Sequence, residues 1–394
     1  MRVTLSAGGC LTPQRYLQNP LLLIEDGVIA SVAAPESVEP PRHFRRVDFP
    51  AAVLAPGFID LHVHGGAGCD VMDAGADALA ALERHLASHG VTSYLPTTLS
   101  SPLDKTLTAL DTLAAAIEEG EKTPPAEVRA RPAGIHLEGP FLSPEKCGAH
   151  PREYLQPISL GLFNRFWDAA RGRIKLMTVA PELPGAGELI AEAARRGVCV
   201  SLGHSNASYA EARAGIAAGA RHATHIFNAM RPLSHRDPGI VAAVLNTPTL
   251  FAEVIADGVH VAPEMVEFFL HAKGREGAVL VTDAISATGM GDGRYRLGST
   301  TVQVNGATCL SEEGKLAGSV LTLDRAVRNV MAFARWNLQD AVKLATINAA
   351  LVLADTSCPG MLAQGMPADI LVLAPSGEVL HTMIREVSNF ESGY

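Results

Sequence analysis

Eight apolar runs of strand length, separated by helix-forming stretches, constrain this chain more than any other feature. The runs are Phe58–His64, Val91–Thr98, Ala133–Glu138, Ile174–Ala180, Val198–His204, Arg221–Phe227, Phe251–Asp257 and Val279–Asp283. Between them lie alanine-rich segments such as "SYAEARAGIAAGA". Strands that alternate with helices form parallel βα units, and eight such units argue for closure into an α/β (β/α)8 TIM barrel. A doubly wound open sheet is the competing arrangement, but no Gly-x-Gly-x-x-Gly follows the first run. With 47% hydrophobic and 19% charged residues the chain can bury a large core, and 394 residues fit one barrel plus an accessory piece.

The accessory piece reads from both ends. "NPLLLIEDGVIASV" places a turn at Asp26-Gly27 between two apolar runs, and "PADILVLAPSGEVLHTMIRE" does the same about Ser376-Gly377. We expect residues 1–53 and 360–394 to form one small β-sandwich domain and residues 54–359 to form the barrel.

Several classes of function are disfavoured. A net charge of −9 argues against a general nucleic-acid role. No run of about 18 apolar residues predicts a membrane span. The N-terminus lacks the apolar core of a secretory signal. None of the six cysteines falls in Cys-x-x-Cys spacing. The expected location is the cytoplasm, with reduced thiols.

Polar residues cluster where the runs end. Run one closes on His62 and His64, run three on Glu138, run five on His204 and run eight on Asp283. Run six carries His225, and run seven leads to His260. In a barrel enzyme the C-terminal strand ends converge on the site of chemistry. Imidazole and carboxylate are also the donors that bind zinc or a similar divalent ion while leaving a position for water. An isolated His-x-His is equally compatible with two solvent-facing or backbone-bonded rings, so its neighbours carry the argument. Other histidines read differently. His85, His89 and His271 lie in helix-like segments and read as surface residues. His136 reads as a satisfied core histidine, and His222 as pointing away from His225.

The segments "GFIDLHVHGG", "HLEGPF", "LGHSNA", "THIFNAM", "IADGVH", "LVTDA" and "LAGS", in this order, together resemble the N-acetylglucosamine-6-phosphate deacetylases of the amidohydrolase superfamily. The resemblance runs from about Pro56 to Ser319 and implies a barrel of amidohydrolase type. Many binuclear relatives bridge their metals through a carboxylated lysine at the end of strand four. Here the only lysine of that run, Lys175, stands at its start. The resemblance passes the bridge to Glu138.

It implies Glu138, His204 and His225 as the principal metal ligands, and His62 and His64 as ligands of a second ion. Asp283 would be the catalytic acid/base and a further metal ligand. His150 would stand near the acetamide carbonyl as a catalytic and substrate-binding residue, either polarising that carbonyl or holding a hydroxyl. Asn228, Ala229, Leu316, Ala317, Gly318 and Ser319 would contact the sugar, and Arg236 and His260 its phosphate. The cofactor would be one or two divalent ions per subunit, zinc foremost, with iron, manganese or cobalt as alternatives. The partners would be a phosphorylated amino sugar and a second copy of the chain, the phosphate site being shared across a homodimer interface. The activity implied is hydrolysis of N-acetylglucosamine 6-phosphate to glucosamine 6-phosphate and acetate. N-acetylgalactosamine 6-phosphate and N-acyl-D-amino acids remain as alternative substrates. Cys147, in "KCGAHP", reads as a partly buried small residue or as an accessible thiol near a metal.

Overall fold

The structure, a computed structural model, describes residues 2–34, 43–123, 126–354 and 358–390. Met1, residues 35–42 and residues 391–394, assigned above to the terminal domain, lie outside them, as do residues 124–125 and 355–357 of the segment assigned to the barrel.

Each of the eight apolar runs contains a strand: Phe58–Val63, Val91–Pro96, Ile135–Glu138, Ile174–Val179, Cys199–Leu202, His222–Ala223, Phe251–Val254 and Ala278–Leu280. The first two pair in parallel. The third to eighth form one parallel sheet in chain order. Parallel bridges between Thr97 and His136 and between Val63 and Ala284 join these pieces into a closed barrel. That consecutive order excludes the doubly wound alternative, whose strand order reverses. Functional-end residues make the closing bonds: the Thr98 N–H donates to the His136 carbonyl and the Asp283 N–H to the His62 carbonyl, both at 3.0 Å.

Helices follow the strands because their sequences supply both an apolar face and a start signal. In Tyr209–Ala217, Ser208 and Glu211 form a reciprocal capping box, as the "SYAE" tetrad allows. Ser159 caps Leu160–Ala169 in a related way.

Both chain ends build one mixed eight-stranded sheet. Its main path runs Val387–Ser388, Val379–Ile384, Ile370–Leu373, Arg45–Pro56, Arg2–Leu11, Leu21–Glu25, Val28–Ala33. Asp26 and Gly27 both adopt positive φ in the turn between the last two strands, the conformation a tight hairpin requires. Bonds from the Ile29 N–H to the Met366 carbonyl, and from the Gly365 N–H to the Ile29 carbonyl, bring the far edge back against the segment leading into Ile370–Leu373. The sheet therefore folds over its own core of Leu5, Leu22, Ile24, Leu54, Ile370 and Val372. Side chains alternate faces along a strand, and this alternation separates the two cores. Leu54, Ile370 and Val372 face the sheet's core, while Val53, Ala55, Leu371 and Leu373 face the barrel's.

One element was not anticipated. Gly293–Leu297, Thr300–Asn305 and Thr308–Ser311 form an antiparallel sheet inside the segment assigned to the barrel. Its core joins Val302, Val304 and Cys309 to Leu99, Ile285 and Ala317, so it props the loop beside the barrel mouth. The Asn305-Gly306 dipeptide between alternating residues was the available hairpin signal.

Candidate metal centre and substrate cavity

Asp60, His62 and His64 alternate along the first strand and so share its inward face. Around them, two groups of donor atoms meet at Glu138. In one, His204 Nε2 and His225 Nε2 are 3.1 Å apart and stand 3.2 and 3.3 Å from Glu138 Oε1. In the other, His62 Nε2 and His64 Nε2 are 3.2 Å apart and lie 3.3 and 3.2 Å from Glu138 Oε2. Asp283 Oδ1 joins the second group at 3.3 Å from His64 Nε2 and 3.6 Å from His62 Nε2.

These spacings fit metal ions. Bonds of about 2.0–2.1 Å in a tetrahedral sphere place neighbouring donors about 3.3 Å apart. The far side of each ring supports the same reading. His62 Nδ1–H donates to Glu253 Oε2 at 3.1 Å, His64 Nδ1–H to the Thr97 carbonyl at 3.0 Å, and His204 Nδ1–H to the Lys146 carbonyl at 3.0 Å. Acceptors at Nδ1 fix the proton there, which leaves each Nε2 lone pair aimed at Glu138. His225 differs: its Nδ1 has no hydrogen-bond partner among the described residues, and its backbone N–H donates to Glu253 Oε2 at 3.0 Å.

Electrostatics match this donor set. Burial disfavours charge on Glu138, yet His62 and His204 hold its carboxyl well below its ordinary value. Burial likewise disfavours a charged His62, but Glu138 and Asp283 raise it well above the ordinary imidazole value. Hydrogen bonds to the Asp283 and Glu138 carboxylates raise His64 to about 9 against the same burial penalty. Without an ion, the converging carboxylates thus draw protons onto His62 and His64. A divalent cation supplies the same positive charge directly.

Several residues here have left-handed backbone without being glycine: His204 (φ 47°), His225 (φ 24°), Ala229 (φ 49°) and Asp283 (φ 53°). Such conformations cluster where a surrounding structure holds functional side chains in place.

A cavity of about 680 Å³, part of it open to solvent, lies over the donors. Its walls include His64, Glu138, His204, His225 and Asp283, together with His150, Asn228, Ala229, His260, Leu316, Ala317 and Gly318. His150 is buried. Its Nδ1 accepts from the Ser100 backbone N–H at 3.1 Å, so Nε2 carries the proton toward Glu138 Oε2, 3.2 Å away. His260 donates from Nδ1 to Asp257 Oδ2 at 2.7 Å. Burial opposes its charge, but Asp257 raises it above the ordinary imidazole value.

Other expectations fare differently. Ser319 does not line the cavity: its hydroxyl donates to the Thr282 carbonyl at 2.6 Å and accepts from the Leu321 N–H, so it braces the loop from below. Arg236 is exposed and lies outside this cavity, whereas His260 reaches the cavity of its own chain. His85 and His89 are half-buried rather than surface residues. Their rings meet edge to face at 4.8 Å, and His89 Nδ1 contacts Asp324 Oδ1 at 3.2 Å. Helical periodicity alone did not say which face of Ala76–Ser88 the chain covers. His271 is exposed. His136 is a satisfied core residue, bonded to Thr178 Oγ1 at 2.8 Å, and His222 turns to Ser201 Oγ at 3.0 Å. Cys147 is half-buried and outside the cavity lining.

Sequence reasoning missed two buried carboxylates. Asp60 accepts from the Thr282 hydroxyl at 2.6 Å, and burial, opposed by that bond, pushes its carboxyl up to about 7. Glu253 holds His62 and the His225 backbone, as described above. A charged residue inside an apolar strand run, as in "FIDLHV" and "FAEV", was the overlooked signal, because charges are almost never fully buried without partners.

Comparison with known proteins places this geometry in context. The sequence profile of the amidohydrolase family matches residues 53–388. The N-acetylglucosamine-6-phosphate deacetylase of Bacillus subtilis (strain 168) is 35% identical over 376 residues, covering 95% of this chain and 94% of its own. The N-acetylgalactosamine-6-phosphate deacetylase of Escherichia coli O157:H7 is 37% identical over 374 residues, covering 95% of each. A mutant N-acetyl-D-glucosamine-6-phosphate deacetylase from Mycobacterium smegmatis, solved in complex with N-acetyl-D-glucosamine-6-phosphate, superposes with a TM-score of 0.91 at 33% identity, over 98% of this chain and 99% of that one.

Proposed function

The chain belongs to the amidohydrolase family, and we propose that it is a metal-dependent deacetylase converting N-acetylglucosamine 6-phosphate to glucosamine 6-phosphate and acetate. The observation that carries this reading is the meeting of four histidine Nε2 atoms on the two oxygens of Glu138, at the floor of the cavity.

Glu138, His204 and His225 would hold one divalent ion, and His62, His64 and Glu138 a second, with Asp283 beside it. Zinc suits sets of two imidazole nitrogens and a carboxylate oxygen of this kind. Such an ion, held by these residues, would lower the pKa of a water molecule and polarise the amide carbonyl. Asp283 takes the proton of the attacking water and returns it to the departing amine, which could not leave as an anion. His150, whose Nε2–H points to Glu138 Oε2 in this structure, would turn that donor to the acetamide oxygen or to a sugar hydroxyl when substrate binds. Asn228, Ala229, Leu316, Ala317 and Gly318 line the sugar position. Asp257 favours the charged form of His260, which suits the phosphate. Arg236 is exposed on one chain and would serve the phosphate of a partner copy, in a homodimer whose two sites share this contact. No described helix is long and apolar enough to cross a membrane, and we place the protein in the cytoplasm.

One experiment tests this reading: a hydrolysis panel of N-acetylglucosamine 6-phosphate, N-acetylgalactosamine 6-phosphate, the two unphosphorylated sugars and N-acetyl-D-amino acids. The expected result is acetate release fastest from the first. Preference for the galactosamine epimer would shift the reading toward the relative of that specificity, and preference for an N-acyl amino acid would overturn it.

A further inference from the structure

Branched aliphatic side chains usually fill the inside of an eight-stranded parallel barrel. Beneath the histidine nitrogens of this one there is instead a belt of polar groups. His136 Nε2 meets Thr178 Oγ1 at 2.8 Å, and Thr178 Oγ1 meets Thr224 Oγ1 at 2.8 Å. Thr224 bonds Ser201 at 2.5 Å, and Ser201 bonds His222 Nδ1 at 3.0 Å. Next to His222 stands Glu253, with Oε1 3.7 Å from His222 Nε2. Glu253 is completely buried, and no cation from Lys or Arg pairs with it among the described residues. A buried carboxylate is retained only where hydrogen bonds compensate its desolvation. Here one oxygen, Oε2, takes both the His62 Nδ1–H at 3.1 Å and the His225 backbone N–H at 3.0 Å. Those two residues belong to different donor groups, on the first strand and just past the sixth.

We infer that Glu253 is the positioning residue that locks His62 in its Nδ1–H form, so that the ion of the His62/His64/Glu138 group depends on it. The inference rests on the metal-centre reading above. The other ligands explain why the dependence falls on one ion. His64 and His204 have backbone carbonyls as Nδ1 acceptors, which no side-chain change removes. His62 has only Glu253 at that atom. A purely architectural carboxylate would serve both donor groups alike, or neither.

The test uses the full-length protein, stripped of ions by chelation and titrated with Zn²⁺ against a chromogenic chelator, beside thermal melting of the ion-free protein. Glu253→Ala removes the acceptor. Glu253→Asp keeps the charge but is one methylene too short to reach both donors, and it decides the matter if the alanine variant fails to fold. Glu253→Gln keeps a carbonyl oxygen that can accept both bonds. Loss of such an outer carboxylate typically weakens metal binding about 10–100-fold. The expected result is that loss for one of the two ions in the Ala and Asp variants, little change in the other, and recovery toward wild type in the Gln variant. Unchanged affinity for both ions in the Ala or Asp variant would overturn the inference. So would equal weakening of both ions with a lowered ion-free melting temperature, which marks a general structural role. Wild-type protein that binds no Zn²⁺ would instead remove the metal-centre reading, and the inference with it.

Discussion

Replacing Asp283 by asparagine isolates proton transfer from everything else that residue does. Its backbone closes the barrel: the N–H donates to the His62 carbonyl at 3.0 Å and the carbonyl accepts from the Ser319 N–H at 2.8 Å. Its φ of 53° is left-handed. Alanine there would add a backbone penalty of roughly 1–2 kcal/mol and blur the result, whereas asparagine visits this conformation readily. The amide keeps an oxygen able to occupy the place of Oδ1, 3.3 Å from His64 Nε2. What it cannot do is accept a proton. Loss of a general acid/base costs about 10²–10⁴-fold in kcat, or about 2.7–5.4 kcal/mol of barrel-site transition-state stabilisation at about 1.36 kcal/mol per decade. Steady-state acetate release from N-acetylglucosamine 6-phosphate measures kcat, with melting temperature and bound metal as controls. A folded, metal-bearing Asp283→Asn protein working within about threefold of wild type would refute the assigned role.

Three further outcomes are expected. A His62→Asn, His64→Asn double variant should hold about one ion per subunit in place of about two after dialysis against metal-free buffer, as donor counting implies; unchanged elemental analysis would count against the second site. Arg236→Ala should raise KM for the phosphorylated sugar far more than for its unphosphorylated analogue, since a hydrogen bond to a charged group contributes roughly 1.5–3 kcal/mol, and mixed dimers with Asp283→Asn should regain some activity; equal effects on both sugars would exclude a phosphate contact. Burial, opposed by Arg129, pushes the Glu83 carboxyl from 4.5 up to about 7. The folded state therefore keeps a proton through that window which the unfolded state has released, so stability falls as pH rises from about 4.5 to about 7. Glu83→Gln should flatten that dependence by up to about 3 kcal/mol, read from denaturation midpoints at about pH 5 and about pH 8; parallel curves for both proteins would contradict it.

The sequence made the barrel legible because each strand is a short apolar run and each helix carries its own signals, as the Ser208–Glu211 box shows. His62, His64, Glu138, His204, His225 and Asp283 stood out because a polar residue closing an apolar run has few reasons to be there. Glu253 and Asp60 did not, since they sit within their runs, and only the closed barrel brings them beneath His62 and Thr282. The support given by Ser319 was equally hidden. Whether its hydroxyl faces the sugar or the Thr282 carbonyl depends on a loop held by the hairpin Thr300–Ser311, a contact between distant segments. His85 and His89 were misread for a related reason: a helix face is covered or bare according to what packs on it, and here that includes Asp324, far along the chain.

The central claim is that the donors gathered on Glu138 hold ions needed for deacetylation. Its most direct test compares acetate release from N-acetylglucosamine 6-phosphate by chelator-stripped protein, before and after Zn²⁺ is restored. The account predicts that activity falls to background in the stripped protein and returns as ions bind, saturating at about two per subunit. Wild-type turnover by protein shown to be metal-free, or an intact substrate after full reloading, would contradict it.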